Sequence, residues 1–259
     1  GGLTLASVQD DAPYTYAGAN GKSVNNYDRR YRGFTTLREA ITDSINIVTV
    51  KTLAQAGVSL GWQYVQEYGF TTVDSRDMNE ALALGGITQG VSNLELTAAY
   101  AAIANQGTYI KPKFYTKILD HDGNVLIDNT TPESHTVIKD STAYLLTSAM
   151  EDVVNSGTGT ACQLPNMPVA GKTGTTTSNK DLWFCGFTPY YTCAVWGGYD
   201  DNKECNSDTS FRFRLWKSIM SRIHENLEEK DFKVPSSVER KSICTITGKL
   251  AGSGCPSIT

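Results

Sequence analysis

Two short stretches of this 259-residue chain carry residue types that could do chemistry together. The first is Ala170-Gly171-Lys172-Thr173-Gly174-Thr175-Thr176, a cation, a glycine and a row of hydroxyls. Apolar Val169 and Ala170 lead into it and a second strand-like run, Asp181–Phe187, follows, so the stretch reads as a strand at a sheet edge. Alternate side chains of a strand share a face, which sends Lys172 one way and Thr173 and Thr175 the other. Gly174 leaves a gap against which an extended peptide backbone can lie as an added strand. That combination suits a ligand with a peptide-like backbone and a carboxylate. A Lys-Thr-Gly tripeptide also arises by chance, as a turn-flanked strand with a surface lysine, so its meaning depends on the second stretch, Ser44-Ile45-Asn46.

Ser44-Ile45-Asn46 interrupts a helical pattern running from Thr35 to Ala56. Thr35 or Thr36 supplies an N-cap, with Glu39 placed as a capping-box partner of Thr36. Leu37, Ala40 and Ile41 form one apolar face, and Val48, Leu53 and Ala54 resume one. On an unbroken helix Ser44 and Asn46 would point about 200° apart and could not share a site. For both to act together the helix must break at 44–46, where Asp43, Ser44 and Asn46 tolerate a break. An isolated Ser-x-Asn is more simply a polar stripe on a surface helix; its pairing with Lys-Thr-Gly gives it meaning.

These motifs are two of the three that mark β-lactamases and penicillin-binding proteins: Ser-x-x-Lys, Ser-Asp-Asn (here Ser-Ile-Asn) and Lys-Thr-Gly. Five segments resemble the transpeptidase domain of bifunctional (class A) penicillin-binding proteins: Tyr27–Asn46, Leu84–Gly107, Leu145–Ala161, Ala170–Thr176 and Asp181–Asp200. The likeness covers residues 3 to 200 in order. It implies an α/β fold of the α+β type, an antiparallel sheet flanked by helices beside an all-helical lobe, with the active site at their junction. The organisation expected is a transpeptidase domain over 1–228, incomplete at its N-terminal side, and a tail or small appendage over 229–259.

One motif is missing. No serine in the chain has a lysine three positions on. In the family Ser-x-x-Lys supplies the acylated serine and its base, a dozen or so residues ahead of the segment resembling Gly2–Tyr14. The chain therefore reads as beginning just after the nucleophile helix, with the membrane anchor and the glycosyltransferase domain also upstream. On that reading the fragment alone is inactive, a sheet edge is left open, and native folding needs the upstream piece, as a separate chain if need be.

The resemblance implies two-step acyl transfer. The upstream serine attacks the D-Ala–D-Ala amide of a peptidoglycan stem peptide and releases D-alanine; the amine of a neighbouring strand then resolves the acyl-enzyme as a cross-link. β-Lactams would acylate the same serine. Ser44 would relay a proton between the upstream lysine and the leaving amine, and Asn46 would hold the substrate's peptide group and orient that lysine. Lys172 would keep Ser44 competent, and Thr173 and Thr175 would bind the terminal carboxylate beside Gly174. The Thr175 N–H would be half of an oxyanion hole. Thr177 would line the cleft; Trp183 either lines it or packs in the core. The protein would sit at the extracytoplasmic face of a bacterial membrane and need no cofactor or metal.

Composition sets further bounds. A formal charge of −4 offers no basic field for nucleic acid. The three histidines, His121, His135 and His224, fall in polar stretches without metal-ligand spacing to cysteine, and no Ser-His-Asp triad is indicated. Among six cysteines no Cys-x-x-Cys occurs. Cys244 and Cys255 bracket a glycine-rich loop that a disulfide would close, which an extracytoplasmic setting permits. Cys185 and Cys193 flank a turn and are either paired across strands or free.

Three other functions share some of these residues. A D,D-carboxypeptidase would use the same set. A β-lactamase would need a water-activating carboxylate between the motifs, for which Glu151 and Asp152 are candidates by position only. A non-catalytic module binding cell-wall peptide would do without the nucleophile.

The remaining elements are read from periodicity and turn residues. Helices are expected near 35–56, 59–68 and 92–106, then over 141–155 and 209–226, the last packing on the sheet through Phe211, Leu215, Ile219 and Ile223. Residues 1–34 read as an extended segment over the surface. Tyr109–Leu119 and Val125–Ile127 read as a hairpin, and strands near 168–177, 181–188 and 191–199 as an antiparallel meander.

Overall fold

The computed structural model describes residues 2–17 and 21–258. Residues 1 and 18–20 of the expected N-terminal extended segment, and Thr259 of the tail, lie outside the described residues. The segment that is described forms strand β1 (Val8–Asp11) and a hairpin of β2 (Tyr14–Thr15) with β3 (Ser23–Val24). β1 pairs antiparallel with β4 (Gly33–Thr36), which runs straight into helix α1 (Leu37–Thr42).

Helix α1 starts where its cap dictates. The Thr36 hydroxyl accepts from the Glu39 N–H, and the Glu39 carboxylate accepts from the Thr36 N–H, so two otherwise orphaned donors are satisfied reciprocally. It ends after one and a half turns because Ile45 is pulled into the core with Ala40 and Val48, which a continuing helix could not arrange. Helix α2 (Asn46–Ala56) restarts at once and buries Ile47, Val48 and Val50, and α3 (Val58–Glu67) follows across Gly57. Two 3-10 turns, Ser75–Asp77 and Glu80–Leu84, lead to α4 (Asn93–Ala104), capped by a second reciprocal box between Ser92 and Glu95.

The next strands are short. β5 (Thr108–Ile110) pairs with β8 (Ser134–Thr136), and β6 (Lys117–Leu119) with β7 (Val125–Asp128). The expected single strand over Tyr109–Leu119 is thus two strands with different partners. Pro112 lies between them, without the N–H a ladder needs.

Helix α5 (Asp140–Asn155) precedes the central meander β9 (Ala170–Thr175), β10 (Asp181–Phe187) and β11 (Thr192–Gly198), in the order β11-β10-β9. Register places Lys172 opposite Cys185 and Gly174 opposite Trp183, one face, and Thr173 opposite Phe184, the other. Helices α4 and α5 cover the lysine face, where Phe187 packs with Met150, Ala170 and Tyr100. Helix α6 (Phe211–Ile223) covers the opposite face, with Trp216 and Met220 fully buried against Phe184.

Phe211 packs on the sheet as expected, but beyond it the helix turns a different side to the sheet from the one expected. Arg212, Trp216 and Met220 face inward, while Leu215, Ile219 and Ile223 are 46%, 39% and 44% exposed. The two stripes differ by one residue, about 100° of rotation. Trp216 decides the rotation: its ring fits over Gly186, where a Cβ would come within 2.8 Å of it, and its indole donates to the Cys193 carbonyl at 2.9 Å.

After α6 the chain returns past the sheet, with Phe232 edge-on to Phe187 at 5.6 Å, and ends in the small pair β12 (Ile243–Cys244) and β13 (Ser257–Ile258). Cys244 and Cys255 are free thiols, not a disulfide. The Thr247 hydroxyl and then the Cys255 thiol bond to Cys244 and lower its pKa to about 7. Cys185 and Cys193 are also free, and stand offset by one pair, since Cys185 lies opposite Ala194. No helix among the described residues is long and apolar enough to cross a membrane.

Candidate active site

The two motifs meet. The Lys172 ammonium donates to the Ser44 hydroxyl at 2.7 Å and to the Thr173 carbonyl at 3.1 Å, joining the broken helix to the sheet across 128 residues of chain. Ser44 occupies the turn between α1 and α2 with φ 56°, a left-handed conformation that costs a β-carbon-bearing residue about 1–3 kcal/mol and persists when its surroundings enforce it. The enforcement is visible: the Ile45 N–H donates to the Ala40 carbonyl at 2.9 Å, and buried Ala40 and Ile45 anchor the two sides of the turn. Desolvation lowers the Lys172 pKa from 10.5 to about 8, so the group holds its proton at neutral pH less firmly than a surface lysine does.

Asn46 opens α2, one step beyond the turn, and its amide donates to the Asn25 carbonyl at 2.8 Å. The neighbouring Asn26 accepts from the Ile47 N–H at 3.2 Å and donates to buried Asp11 at 2.9 Å. Asn25, Asn26 and Asp11 therefore clamp the start of α2, a role for the N-terminal segment that its polar, tyrosine-bearing sequence did not disclose.

Along β9, the Thr173 hydroxyl is bonded to the Thr158 hydroxyl at 2.9 Å and the Thr175 hydroxyl accepts from Arg212 at 3.3 Å. Gly174 lies on the lysine face, where the space beside it holds Trp183, whose Cβ would be 3.1 Å from a Cβ at 174. Trp183 is half-buried, 6.2 Å from the ring of Trp196. What stays open is backbone: β9 has no partner on its outer side among the described residues. The Thr176 N–H donates inward to the Asp181 carbonyl at 3.1 Å, so by strand alternation the Thr175 N–H points to the open edge. Thr177 sits beyond the strand in an exposed 3-10 turn, away from the Ser44–Lys172 contact.

Of the two carboxylates weighed as water activators, one is committed to an ion pair. Asp152 is paired with Arg38 at 2.6 Å. Burial, then Asp152 and Asp231 nearby, raise Glu151 to about 7.

Residues 1–220 match the family model for the penicillin binding protein transpeptidase domain. Penicillin-binding protein 1A of Clostridium botulinum is 38% identical over 224 residues, which is 85% of this chain and 27% of that protein. Penicillin-binding protein 1A/1B of Bacillus subtilis is 33% identical over 272 residues, 96% of this chain and 29% of its own length. The chain thus spans less than a third of these relatives. Among solved structures, penicillin-binding protein 1A from Haemophilus influenzae superposes with a TM-score of 0.86 at 26% identity, covering 99% of this chain and 44% of its own. PonA1 from Mycobacterium tuberculosis, in complex with penicillin V, shares the fold at 23% identity, with a TM-score of 0.74 over 92% of this chain and 68% of its own.

Proposed function

Because this chain belongs to the transpeptidase-domain family of penicillin-binding proteins, we propose that it forms most of the active site of a D,D-transpeptidase that cross-links peptidoglycan stem peptides. The observation that carries this reading is the Lys172–Ser44 contact at 2.7 Å. A hydroxyl fixed beside an ammonium whose proton is loosely held is suited to passing a proton to a leaving amine. Ser44 takes that role here, with Lys172 holding it competent. The nucleophile is a serine outside these 259 residues, since no serine here has a lysine three positions on.

The stem peptide lies along the open edge of β9 as an added strand. Thr173 and Thr175 hold its terminal carboxylate, and the Thr175 N–H donates to the oxyanion, a contribution of about 2.7–4 kcal/mol to the transition state in comparable sites. Asn46 reaches the substrate's peptide group, Gly174 lies along the substrate backbone, and Thr177 borders the outer end of the cleft. β-Lactams acylate the same serine; that the similarly folded PonA1 is found in complex with penicillin V supports this reading. Residues 1–228 belong to this domain and 229–259 form its appendage. The protein acts at the extracytoplasmic face of a bacterial membrane, where its polymeric substrate lies.

Labelled penicillin tests the reading. The full-length protein should form a stable adduct and the 259-residue chain alone none. Rapid loss of the adduct would indicate a hydrolase, and absence of any adduct a binding module. A carboxypeptidase is separated by supplying an acceptor amine and finding free acid as the sole product.

A further inference from the structure

Arg212 lies in the first turn of α6, and it is 7% exposed. Its Nη1 donates to the Thr209 carbonyl at 2.9 Å and its Nη2 to the Thr175 hydroxyl at 3.3 Å; its guanidinium carbon stands 4.5 Å from the centre of the Phe213 ring. Its Nε is buried with no hydrogen-bond partner among the described residues, and none of the ion pairs found among them involves it. Desolvation lowers its pKa, and the nearby titratable group is the thiol of Cys162, not a carboxylate. A guanidinium cannot shed its proton to escape burial, so a buried one is ordinarily matched by an anion.

Thr175 is exposed at the open edge of β9, whereas Arg212 behind it is not. A hydroxyl that accepts from a cation has its own proton free to donate outward, and the cation strengthens that donation. We propose that Arg212 is a positioning residue for substrate recognition: through the Thr175 hydroxyl it directs a positive field to the edge of β9, and the ligand's carboxylate serves as its counter-ion. This rests on the transpeptidase reading and adds to it a residue outside both motifs. The neighbouring Thr173 hydroxyl, bonded to neutral Thr158, has no such backing, so the two hydroxyls are unequal and Thr175 is the stronger carboxylate donor.

The test compares acylation of the full-length protein by a penicillin and by its methyl ester, which lacks the carboxylate charge. In Arg212→Met the acid-to-ester rate ratio should fall about tenfold or more, with the ester rate nearly unchanged, and Arg212→Lys should restore part of the ratio. Thr175→Val leaves the Arg212 packing in place and should lower the ratio equally, with no further fall on adding Arg212→Met. Equal losses for acid and ester, or an unchanged ratio in Thr175→Val, would overturn the proposal. Failure of the unsubstituted protein to react with either compound would sink the transpeptidase reading itself, and Arg212's role with it.

Discussion

Lys172 is the residue of the two motifs whose chemistry its surroundings alter. Burial holds its pKa near 8, below the free value of 10.5. Between those values the unfolded chain binds more protons than the folded one, so stability rises with pH across that window and burial of the charged form costs stability below it. Function runs the other way. If the ammonium is the form that orients Ser44, β-lactam acylation should decline as pH passes about 8, and Lys172→Met should be slow throughout with that inflection gone. Rates measured from pH 6 to 10 check this; an alkaline limb that survives in Lys172→Met would assign it to another group. The residue types of this site were legible in the sequence because they lie in two compact motifs. Arg212 was not, because what matters about it is the absence of a carboxylate in three dimensions, which no spacing records.

The turn between α1 and α2 is the element on which the site depends. The reading that 35–56 must break at 44–46 came from geometry, since an intact helix separates Ser44 and Asn46, and the break is where it was expected. The cause was less visible: Ile45 enters the core, and Asn25 and Asn26, just past β3, hold the second helix from some twenty residues upstream. Gly157, after α5, supports the other side. A Cβ there would run into the Thr42 carbonyl and lie 2.9 Å from the Val153 Cα, both backbone, which has no easy way to yield. Gly157→Ala should therefore destabilise the protein by about 1–3 kcal/mol and slow acylation, because Thr42 precedes Ser44 by two residues. Thermal unfolding and acylation rate on one sample check both, and a variant of unchanged stability would contradict the close packing. The face of α6 was misread for a related reason. Leu215, Ile219 and Ile223 form an apolar row as regular as the true one, and only the groove at Gly186 favours Trp216.

At the scale of the molecule, the order of elements followed from periodicity and turn residues, since each helix and meander strand is long enough to show its period. The β6–β7 hairpin was read across Asp122-Gly123, but the pairing of β5 with β8 was not, because three-residue strands carry too little pattern to choose partners. The central claim is that two stretches 128 residues apart work as one unit. A double-mutant cycle on penicillin acylation of the full-length protein tests it most directly, with Ser44→Ala, Lys172→Met and the pair together. Each single change should slow acylation by about two orders of magnitude or more, and the double variant should be hardly slower than either. Losses that simply add would mean that the contact in the structure is not the contact that does the chemistry.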